Sequence, residues 1–468
     1  MNLPQSFVER TRQLLGDEQY PLFEQALGTE VPVSIRPNRM KCNLPVAGEP
    51  VPWAPSGVYL EKRPTFTFDP LFHAGCYYVQ EASSMFVERV LREYVQEPVV
   101  MLDLCAAPGG KSTLCRSALP EGSLLVANEV MRNRSQILAE NLMKWGHPEV
   151  VVTNNDPADF TDLTHLFDVI LTDVPCSGEG MFRKDQVAVD EWSLENVDIC
   201  WQRQRRILSD IWPALKPGGL LIYSTCTFNR EEDEDNVAWI ARELGADMLE
   251  VPVEEAWGIT GNLIGDSFPV YRFLPHKVKG EGFFLAVLRK HAGEVETVEP
   301  RAEKKKKGGK DVKGKAPQLS VPKEAKDWLQ EPGDYQLTIN GTNVQAFPKL
   351  HETVYTLLQQ NVKVIHAGIT LGEMKGKDLI PHHSLAMSTA LADGAFPKAE
   401  VTYEQAIAYL RKESLVLDTG VPRGYVLLTY QNIPLGFMKN IGNRANNLYP
   451  QEWRIRSGYL PEEIVTVF

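Results

Sequence analysis

No part of the 468-residue sequence has the roughly 18 consecutive apolar residues that a membrane-spanning helix requires. Residues 1–20 carry charges throughout and lack the apolar region of a secretory signal peptide. We therefore expect a cytoplasmic protein. Hydrophobic residues make up 43% of the chain and charged residues 24%, which is typical of a globular protein, and the length predicts two to four domains.

Cysteine is scarce, and its spacing excludes two common uses. The seven cysteines are scattered and include no C-x-x-C pair. An odd, scattered set argues against a disulfide framework and against a zinc site. We expect reduced thiols, no bound metal, and a chemical role for one or two of the cysteines.

The sequence also lacks an excess of positive charge. It has 61 acidic and 49 basic residues, for a net charge of −12. A nucleic-acid-binding domain is usually strongly basic, so the composition counts against a simple nucleic-acid binder. A local basic groove on an acidic protein fits the same numbers, and composition leaves both interpretations open.

Residues 291–320 lack nearly all aromatic and large aliphatic side chains and are rich in Lys, Glu and Gly. Such a segment cannot bury enough apolar surface to offset its ordering entropy, which predicts a charged linker. The basic run 304–307 either contacts phosphates or is solvated. We predict an N-terminal α+β region over 1–90, an α/β domain over 91–290, a mixed domain over 321–390 and a last domain over 391–468.

Residues 98–290 alternate short apolar runs with helix-like stretches. An amphipathic helix is predicted around 132–145. Uninterrupted Val, Ile and Leu runs suit strands that are buried on both faces, so we predict an α/β fold with a doubly wound, mostly parallel sheet. The predicted strands are 98–104, 123–129, 149–155, 167–173, 218–225 and 282–290.

The segment VMLDLCAAPGGKST is the strongest sign of a cofactor site. Small residues after the first strand let the backbone approach a ligand at the carboxyl end of the sheet. Glu129, which ends the second strand, can accept hydrogen bonds from a ribose diol. Asp156, after the third strand, can accept one from an adenine amino group. The turn itself consists of Cys105, Ala106, Ala107, Pro108, Gly109 and Gly110.

A phosphate-binding P-loop is the alternative interpretation of Gly110–Lys111–Ser112. That motif requires a glycine where this chain has Cys105, and a Cβ there would obstruct the turn that cradles phosphate. Glu129 would also have no role in such a site. The sequence therefore favours the cofactor crevice over the P-loop.

Two cysteines directly follow strand ends. Asp173 ends the fourth strand and Cys176 follows it, while Cys226 follows the fifth strand. Buried cysteines are more often packing residues, but these two lie on loops rich in turn residues. Because the carboxyl ends of neighbouring parallel strands meet, we expect both thiols in one crevice beside the cofactor.

The motifs D-x-C-A-A-P-G-G-K, D-x-P-C-S-G and S-T-C-T, in this order, resemble the NOL1/NOP2/Sun family of RNA cytosine-5 methyltransferases. Segments 34–43 and 73–85 are similar to that family's segments before the cofactor domain. MFRKD after the Pro-Cys and the long C-terminal extension most resemble the bacterial RsmF type, which acts on small-subunit (16S) ribosomal RNA. Weaker matches over 364–387 and 436–450 resemble appended RNA-binding domains, the last one PUA-like.

The resemblance implies a Rossmann-like class I methyltransferase domain with a seven-stranded sheet, S-adenosyl-L-methionine as cofactor and ribosomal RNA as partner. We expect a monomer with no membrane partner. Lys111 would contact the methionine carboxylate or a nearby acid. The position of Arg134 is explained equally well by a contact with the cofactor and by a salt bridge at the protein surface. The implied cofactor contacts are the turn from Cys105 to Gly110, Lys111, Glu129, Arg134, Asp156 and Asp173.

The same resemblance makes Cys226 the nucleophile. C5 of cytosine cannot attack a methyl donor unaided, but a thiolate added to C6 makes C5 an enamine-like carbon that can. Asp173 would hydrogen-bond the N3 and amino edge of the base, and Cys176 would assist release of the C5 proton and the thiol. A paired target base must first be extruded. The spacing of the motifs alone favours Cys176 and Cys226 about equally as the nucleophile, because DNA cytosine methyltransferases carry the nucleophile in a Pro-Cys motif.

A short basic cluster suggests RNA contacts in the N-terminal region. Arg36, Asn38 and Arg39 belong to it, and Lys184 lies on the loop after Cys176. Phosphate contacts from such residues supply affinity without sequence information. A solvated surface position explains Lys184 equally well.

Two other functions remain alternatives. A methyltransferase for proteins or small molecules is disfavoured because N- or O-methylation needs no thiol nucleophile. A non-catalytic RNA-binding assembly factor that retains the fold is disfavoured because every motif residue is present.

Overall fold

The computed structural model describes residues 2–293, 320–460 and 463–468. The charged linker predicted over 291–320, including the basic run 304–307, therefore lies outside the described residues except at its ends. None of the described helices combines the length and the apolar character needed to cross a membrane.

The N-terminal region combines helices with a small antiparallel sheet. The aromatic side chains of its first two helices pack against loops of the next domain, with Phe7 5.0 Å from Phe182 and Phe23 4.9 Å from Phe228 between ring centroids. The sheet has the strand order β2-β3-β1-β4. The elements are α1 (Gln5–Leu15), α2 (Tyr20–Leu27), β1 (Val33–Pro37), β2 (Glu49–Val51), β3 (Ala54–Leu60), α3 (Pro70–His73), β4 (Tyr77–Val79) and α4 (Phe86–Tyr94).

The central domain alternates strands and helices, as the hydrophobic pattern predicts. Its elements are β5 (Val100–Asp103), α5 (Gly110–Ala118), β6 (Leu124–Asn128), α6 (Arg132–Trp145), β7 (Val150–Thr153), β8 (Phe167–Asp173), α7 (Gln186–Glu191), α8 (Leu194–Ile211), β9 (Leu215–Thr225), α9 (Glu234–Trp239), β10 (Ala246–Leu249), β11 (Tyr271–Phe273) and β12 (Phe283–Lys290). A π-helical turn over Ile240–Gly245 extends α9.

The C-terminal region contains two further four-stranded sheets, β13-β14-β16-β17 and β18-β19-β20-β21. Its elements are α10 (Glu324–Asp327), β13 (Tyr335–Asn340), β14 (Asn343–Pro348), α11 (Glu352–Asn361), β15 (Val364–Ala367), β16 (Ile369–Lys375), β17 (Asp378–Pro381), α12 (His383–Met387), β18 (Lys398–Glu400), α13 (Tyr403–Leu410), β19 (Gly424–Tyr430), β20 (Ile433–Asn440) and β21 (Ala445–Asn447).

The central sheet confirms the predicted α/β class but is larger than predicted. Seven strands follow the order β10-β12-β9-β8-β5-β6-β7, and β12 is antiparallel to β9 while β5, β6, β7, β8 and β9 are parallel. Two more strands join this sheet, since β11 pairs with β12 and β15 pairs with β7. Local periodicity cannot reveal the second pairing, because β15 belongs to the C-terminal region.

Burial explains why these segments form the centre of the sheet. Every residue of β6 and β7 is buried, and separate apolar clusters cover the two faces of the sheet. Each Å² of apolar surface that these strands remove from water contributes about 25 cal/mol to the stability of the domain. The carboxyl ends of β5, β6, β8 and β9 consequently meet at one edge of a rigid core.

Candidate active site

A tight turn joins β5 to α5 at the carboxyl edge of the sheet. Gly109 has φ +116°, a conformation that side chains with a Cβ rarely adopt. A Cβ on Gly110 would lie 3.3 Å from the Tyr78 ring. The turn is tied to β6 because Ala106 N–H donates to the Asn128 carbonyl at 2.8 Å. The chain can therefore bring its backbone close to a bound ligand here.

Asp103, at the end of β5, is a buried acid with an unused acceptor. Ser112 Oγ donates to Asp103 Oδ2 at 2.6 Å, whereas Asp103 Oδ1 is buried without a partner. Burial raises the pKa of Asp103 to about 7. An unpaired buried acceptor at the carboxyl edge of the sheet suits a donor group of a bound molecule.

Glu129 and Arg134 flank the same turn. The Glu129 side chain is buried, accepts a hydrogen bond from Met131 N–H at 2.8 Å, and lies 3.4 Å from Arg134 Nη1. Arg134 Nη2 also donates to the Ala107 carbonyl at 2.9 Å. Arg134 thus makes the ion pair that the sequence allowed and also braces the turn between β5 and α5.

Asp156 lies after β7 but is already engaged. Its carboxylate accepts from Ala158 N–H at 3.1 Å and from the Arg206 guanidinium at 3.2 and 3.3 Å. Partial burial raises the pKa of Asp156, but the Arg206 and Ala158 hydrogen bonds outweigh burial and leave the pKa below its ordinary value. An adenine contact therefore stays a prediction, made by a side chain that also caps a turn.

Asp173 is held between two donors. Lys111 Nζ lies 2.8 Å from Asp173 Oδ2, and Ser224 Oγ donates to Asp173 Oδ1 at 2.9 Å. Burial lowers the pKa of Lys111, but the Asp173 carboxylate more than offsets burial, so this pKa lies above its ordinary value. Lys111 accordingly contacts a nearby acid, one of the two partners that the sequence suggested.

The two cysteines after β8 and β9 meet in the crevice. Cys176 Sγ lies 3.0 Å from Cys226 Sγ, and Cys226 N–H points at Cys176 Sγ at 3.4 Å. Both side chains are half-buried. The hydrogen bond with Cys226 and burial together raise the pKa of Cys176 well above its ordinary value. The raised pKa favours the protonated thiol at Cys176.

The structure contradicts the prediction that Arg36 and Asn38 contact RNA. Both side chains are fully buried. Arg36 donates to Gln80 Oε1 at 3.1 Å and stacks 4.5 Å from the Trp145 ring centroid, so it joins the N-terminal sheet to the central domain. Asn38 Nδ2 donates to two carbonyls, of Gly75 and Trp145. The basic cluster is thus largely structural.

The other two predicted RNA contacts lie at the surface. Arg39 is exposed and donates to the Leu44 carbonyl at 3.0 Å. Lys184 is partly exposed, with its ammonium 3.9 Å from Glu281. Both remain available to a phosphate and stay predictions. Within the described part of the chain, no group of three or more His, Cys, Asp or Glu side chains is arranged to hold a metal ion.

The sequence did not single out two buried glutamates beneath the cysteine loops. Glu179 follows Cys176 in the D-x-P-C-S-G-E-G segment, and Glu232 follows Cys226 in the acidic run after S-T-C-T. Both are buried, and burial raises the pKa of Glu232 to about 7. The only signal was their position next to the two cysteine motifs, since acidic runs are usually solvated.

Comparison with known families assigns each region separately. The family described as 16S rRNA methyltransferase RsmB/F matches residues 91–289. The N-terminal domain of 16S rRNA methyltransferase RsmF matches 3–82, and the RsmF PUA domain matches 396–455. These matches confirm the predicted family and the PUA-like C-terminal domain.

Solved structures share the central fold. A methyltransferase homolog from Pyrococcus horikoshii is 28% identical, with a TM-score of 0.53, and the match covers 61% of this chain and 95% of that one. NSun6 from Pyrococcus horikoshii, solved with SFG, is 22% identical with a TM-score of 0.52, over 61% of this chain and 98% of its own. The second likeness shows the fold alone.

Curated relatives extend the match over the whole chain. Ribosomal RNA small subunit methyltransferase F of Citrobacter koseri is 33% identical over 88% of this chain and 85% of its own length. Its counterpart in Enterobacter sp. (strain 638) is 30% identical over 98% of this chain and 97% of its own. Together with the regional matches, this likeness shows that the chain belongs to the RsmF family of 16S rRNA methyltransferases.

Proposed function

We propose that this protein methylates C5 of cytosine in 16S ribosomal RNA, using S-adenosyl-L-methionine and Cys226 as the nucleophile. One observation carries the proposal: two thiols lie 3.0 Å apart, just after the carboxyl ends of the neighbouring parallel strands β8 and β9. Methylation of nitrogen or oxygen needs no thiol, whereas C5 of a pyrimidine becomes reactive only after a nucleophile adds to C6. The relatives' names supply the substrate class.

The residues of the crevice fit S-adenosyl-L-methionine. When bound, this cofactor supplies an electrophilic methyl group for transfer to carbon. The unpaired Asp103 Oδ1 suits its ammonium group, and Glu129 suits its ribose diol. Gly109 and Gly110 leave the turn free of side chains that would obstruct it.

The protein's own groups divide the reaction into addition and elimination. The Cys226 thiolate forms a bond to C6, and the electron pair of the C5–C6 double bond makes C5 nucleophilic. Asp173, fixed by Lys111 and Ser224, accepts a hydrogen bond from the exocyclic amino group of the base. After methylation Cys176 gives its proton to the Cys226 sulfur as the C6–S bond breaks, and the Cys176 sulfur accepts the proton that leaves C5 while the C5–C6 double bond reforms. Cys176, which holds a proton 3.0 Å away, stabilises the departing thiolate.

Surface residues and the appended domains complete the proposal. Arg39, Lys184 and the PUA domain would bind the RNA backbone, and the target base would be extruded into the crevice. An enzyme with this substrate would work in the cytoplasm.

Mapping 5-methylcytosine by bisulfite sequencing tests the proposal. We expect one or more 16S positions to lose methylation when the gene is deleted and to regain it with the wild-type gene but not with Cys226→Ser. An unchanged 16S pattern would contradict the proposal and leave an RNA-binding assembly role.

A further inference from the structure

Glu179 anchors the loop that follows the nucleophile. It lies on the other loop, three residues after Cys176, and its carboxylate is buried. Its hydrogen bonds reach three consecutive residues directly after Cys226. The donors are Thr227 Oγ1 at 2.6 Å, Phe228 N–H at 2.8 Å, Asn229 N–H at 3.0 Å, Asn229 Nδ2 at 3.1 Å and Trp192 Nε1 at 3.0 Å.

Glu232 makes the reciprocal connection. It follows Cys226 in the chain, yet its carboxylate accepts from the backbone N–H of Ser177, next to Cys176, at 3.0 Å. Gln204 Nε2 donates to it at 2.6 Å and Asn229 Nδ2 at 2.8 Å. Each cysteine loop therefore carries one glutamate whose carboxylate accepts hydrogen bonds from the other loop. Asn229 Nδ2 donates to both carboxylates.

A direct backbone contact brings the same two loops together. Gly180 N–H donates to the Cys226 carbonyl at 2.8 Å. A Cβ on Gly180 would lie 2.8 Å from that carbonyl oxygen and from the Gly282 carbonyl oxygen, so only glycine fits. The backbone around both sulfurs is thus fixed on either side.

Stability alone does not account for these buried carboxylates. Burying an acid is costly unless it is fully hydrogen-bonded, and well-packed apolar residues often serve stability as well or better. A carboxylate, unlike an amide, accepts hydrogen bonds at both oxygens, which suits the Glu179 site where every neighbouring group donates. The hydrogen bonds of Glu179 and Glu232 instead fix the position of the Cys176 loop relative to the Cys226 loop.

We propose that Glu179 and Glu232 are positioning residues that hold the Cys176 and Cys226 sulfurs within reach of each other. This inference rests on the proposed function for its catalytic consequence. Addition needs only one thiol, but elimination needs the second sulfur beside the first. Loosening the anchors should therefore slow turnover without weakening the binding of RNA or cofactor.

The experiment compares Glu179→Gln and Glu232→Gln with the wild type. Glu88→Gln is the matched control, because Glu88 is an equally buried carboxylate that bonds Ser56 and Arg92 in the N-terminal region. Circular dichroism and thermal melting select variants that remain folded. We expect kcat to fall about 100-fold in Glu179→Gln, as for a displacement of about 1 Å, with both KM values within about twofold of wild type.

A second readout is independent of methyl transfer. Diamide oxidises the Cys176 and Cys226 thiols to a disulfide and is itself reduced to the hydrazine, and mass spectrometry follows the linked peptides. The two-electron reaction requires the sulfurs to meet, so Glu179→Gln and Glu232→Gln should cross-link about tenfold more slowly than Glu88→Gln. Wild-type cross-linking rates and kcat in both folded variants would overturn the inference. Slow cross-linking combined with an inactive wild type would uphold the positioning role and refute the proposed function.

Discussion

Lys111 Nζ lies 2.8 Å from Asp173 Oδ2 and joins the first turn of α5 to the end of β8. The pair links the turn between β5 and α5 to the loop that carries Cys176. Ser224, at the end of β9, holds the other carboxylate oxygen at 2.9 Å. Three elements of the core thereby fix the orientation of one acid at the carboxyl edge of the sheet.

Replacing Lys111 with Met should reduce kcat about 10- to 100-fold, because Asp173 loses its charged partner and its fixed orientation. Steady-state kinetics on 16S RNA measures the change. Lys216→Met is the matched control, since Lys216 pairs with Asp168 at 2.6 Å at the start of β8. Equal losses in both variants would contradict a role specific to the crevice.

The affinity for the cofactor should depend on pH through Asp103. Burial raises the pKa of Asp103 to about 7, so the free protein holds a proton there below pH 7. A ligand ammonium favours the ionised form, and affinity should therefore fall as pH drops. We expect S-adenosylhomocysteine to bind about tenfold more weakly at pH 6 than at pH 8 by calorimetry.

Asp103→Asn supplies the control for that titration. It should bind S-adenosylhomocysteine more weakly at both pH values and show no pH dependence between them. In the free wild-type protein the raised pKa favours folding at low pH, because the unfolded chain loses this proton near pH 4 and the folded one near pH 7. The contribution of Asp103 to stability should thus decline from about pH 4 to about pH 7. An unchanged pH profile in Asp103→Asn would show that another group titrates.

The substitution Arg36→Met should lower the stability of the protein and leave its affinity for RNA unchanged. The buried guanidinium donates to Gln80 and Thr113 and stacks on Trp145, and its loss should cost about 2–4 kcal/mol in urea denaturation. The salt dependence of RNA binding should keep its slope. Arg39→Met should instead reduce that slope by about one phosphate contact without loss of stability. The reverse pattern would restore Arg36 as an RNA contact.

The C-terminal region should influence cofactor affinity. Lys363, just before β15, donates its backbone N–H to Asn155 Oδ1 at 2.9 Å and accepts from Asn154 N–H at 3.0 Å, so it braces the segment leading to Asp156. Asn155→Ala should weaken S-adenosylhomocysteine binding about three- to tenfold, as expected for loss of one or two hydrogen bonds. Asn361→Ala, at the exposed end of α11, is the control, and equal affinities in the two variants would exclude this coupling.

Sequence periodicity predicted the elements whose burial is local. The helix 132–145 and the strand 167–173 match the structure at both ends, because their apolar patterns and turn residues are continuous in the chain. The strand predicted at 218–225 begins earlier, at Leu215. Pairing between segments that are distant in the chain leaves no such pattern in the sequence. The sequence therefore did not predict that β15 pairs with β7 in a nine-stranded sheet.

The candidate site divides in the same way. Strand ends and motifs predicted that Asp173, Cys176 and Cys226 share one crevice, because parallel strands fix where their loops emerge. The basic residue Arg36 was predicted to contact RNA, because the sequence does not show that its side chain packs on the Trp145 ring and donates to the buried Gln80 side chain. The partnership of Glu179 with residues 227–229 was equally invisible, because it crosses between two loops far apart in the chain.

Denaturing gel electrophoresis of the protein with 16S RNA and the cofactor tests the central claim most directly. The account predicts that Cys176→Ala accumulates a covalent protein–RNA complex, because the adduct forms on Cys226 and is released slowly. Cys226→Ala should give no complex and no methyl transfer. A complex that forms with Cys226→Ala and is lost with Cys176→Ala would contradict the account and assign the nucleophile to the other sulfur.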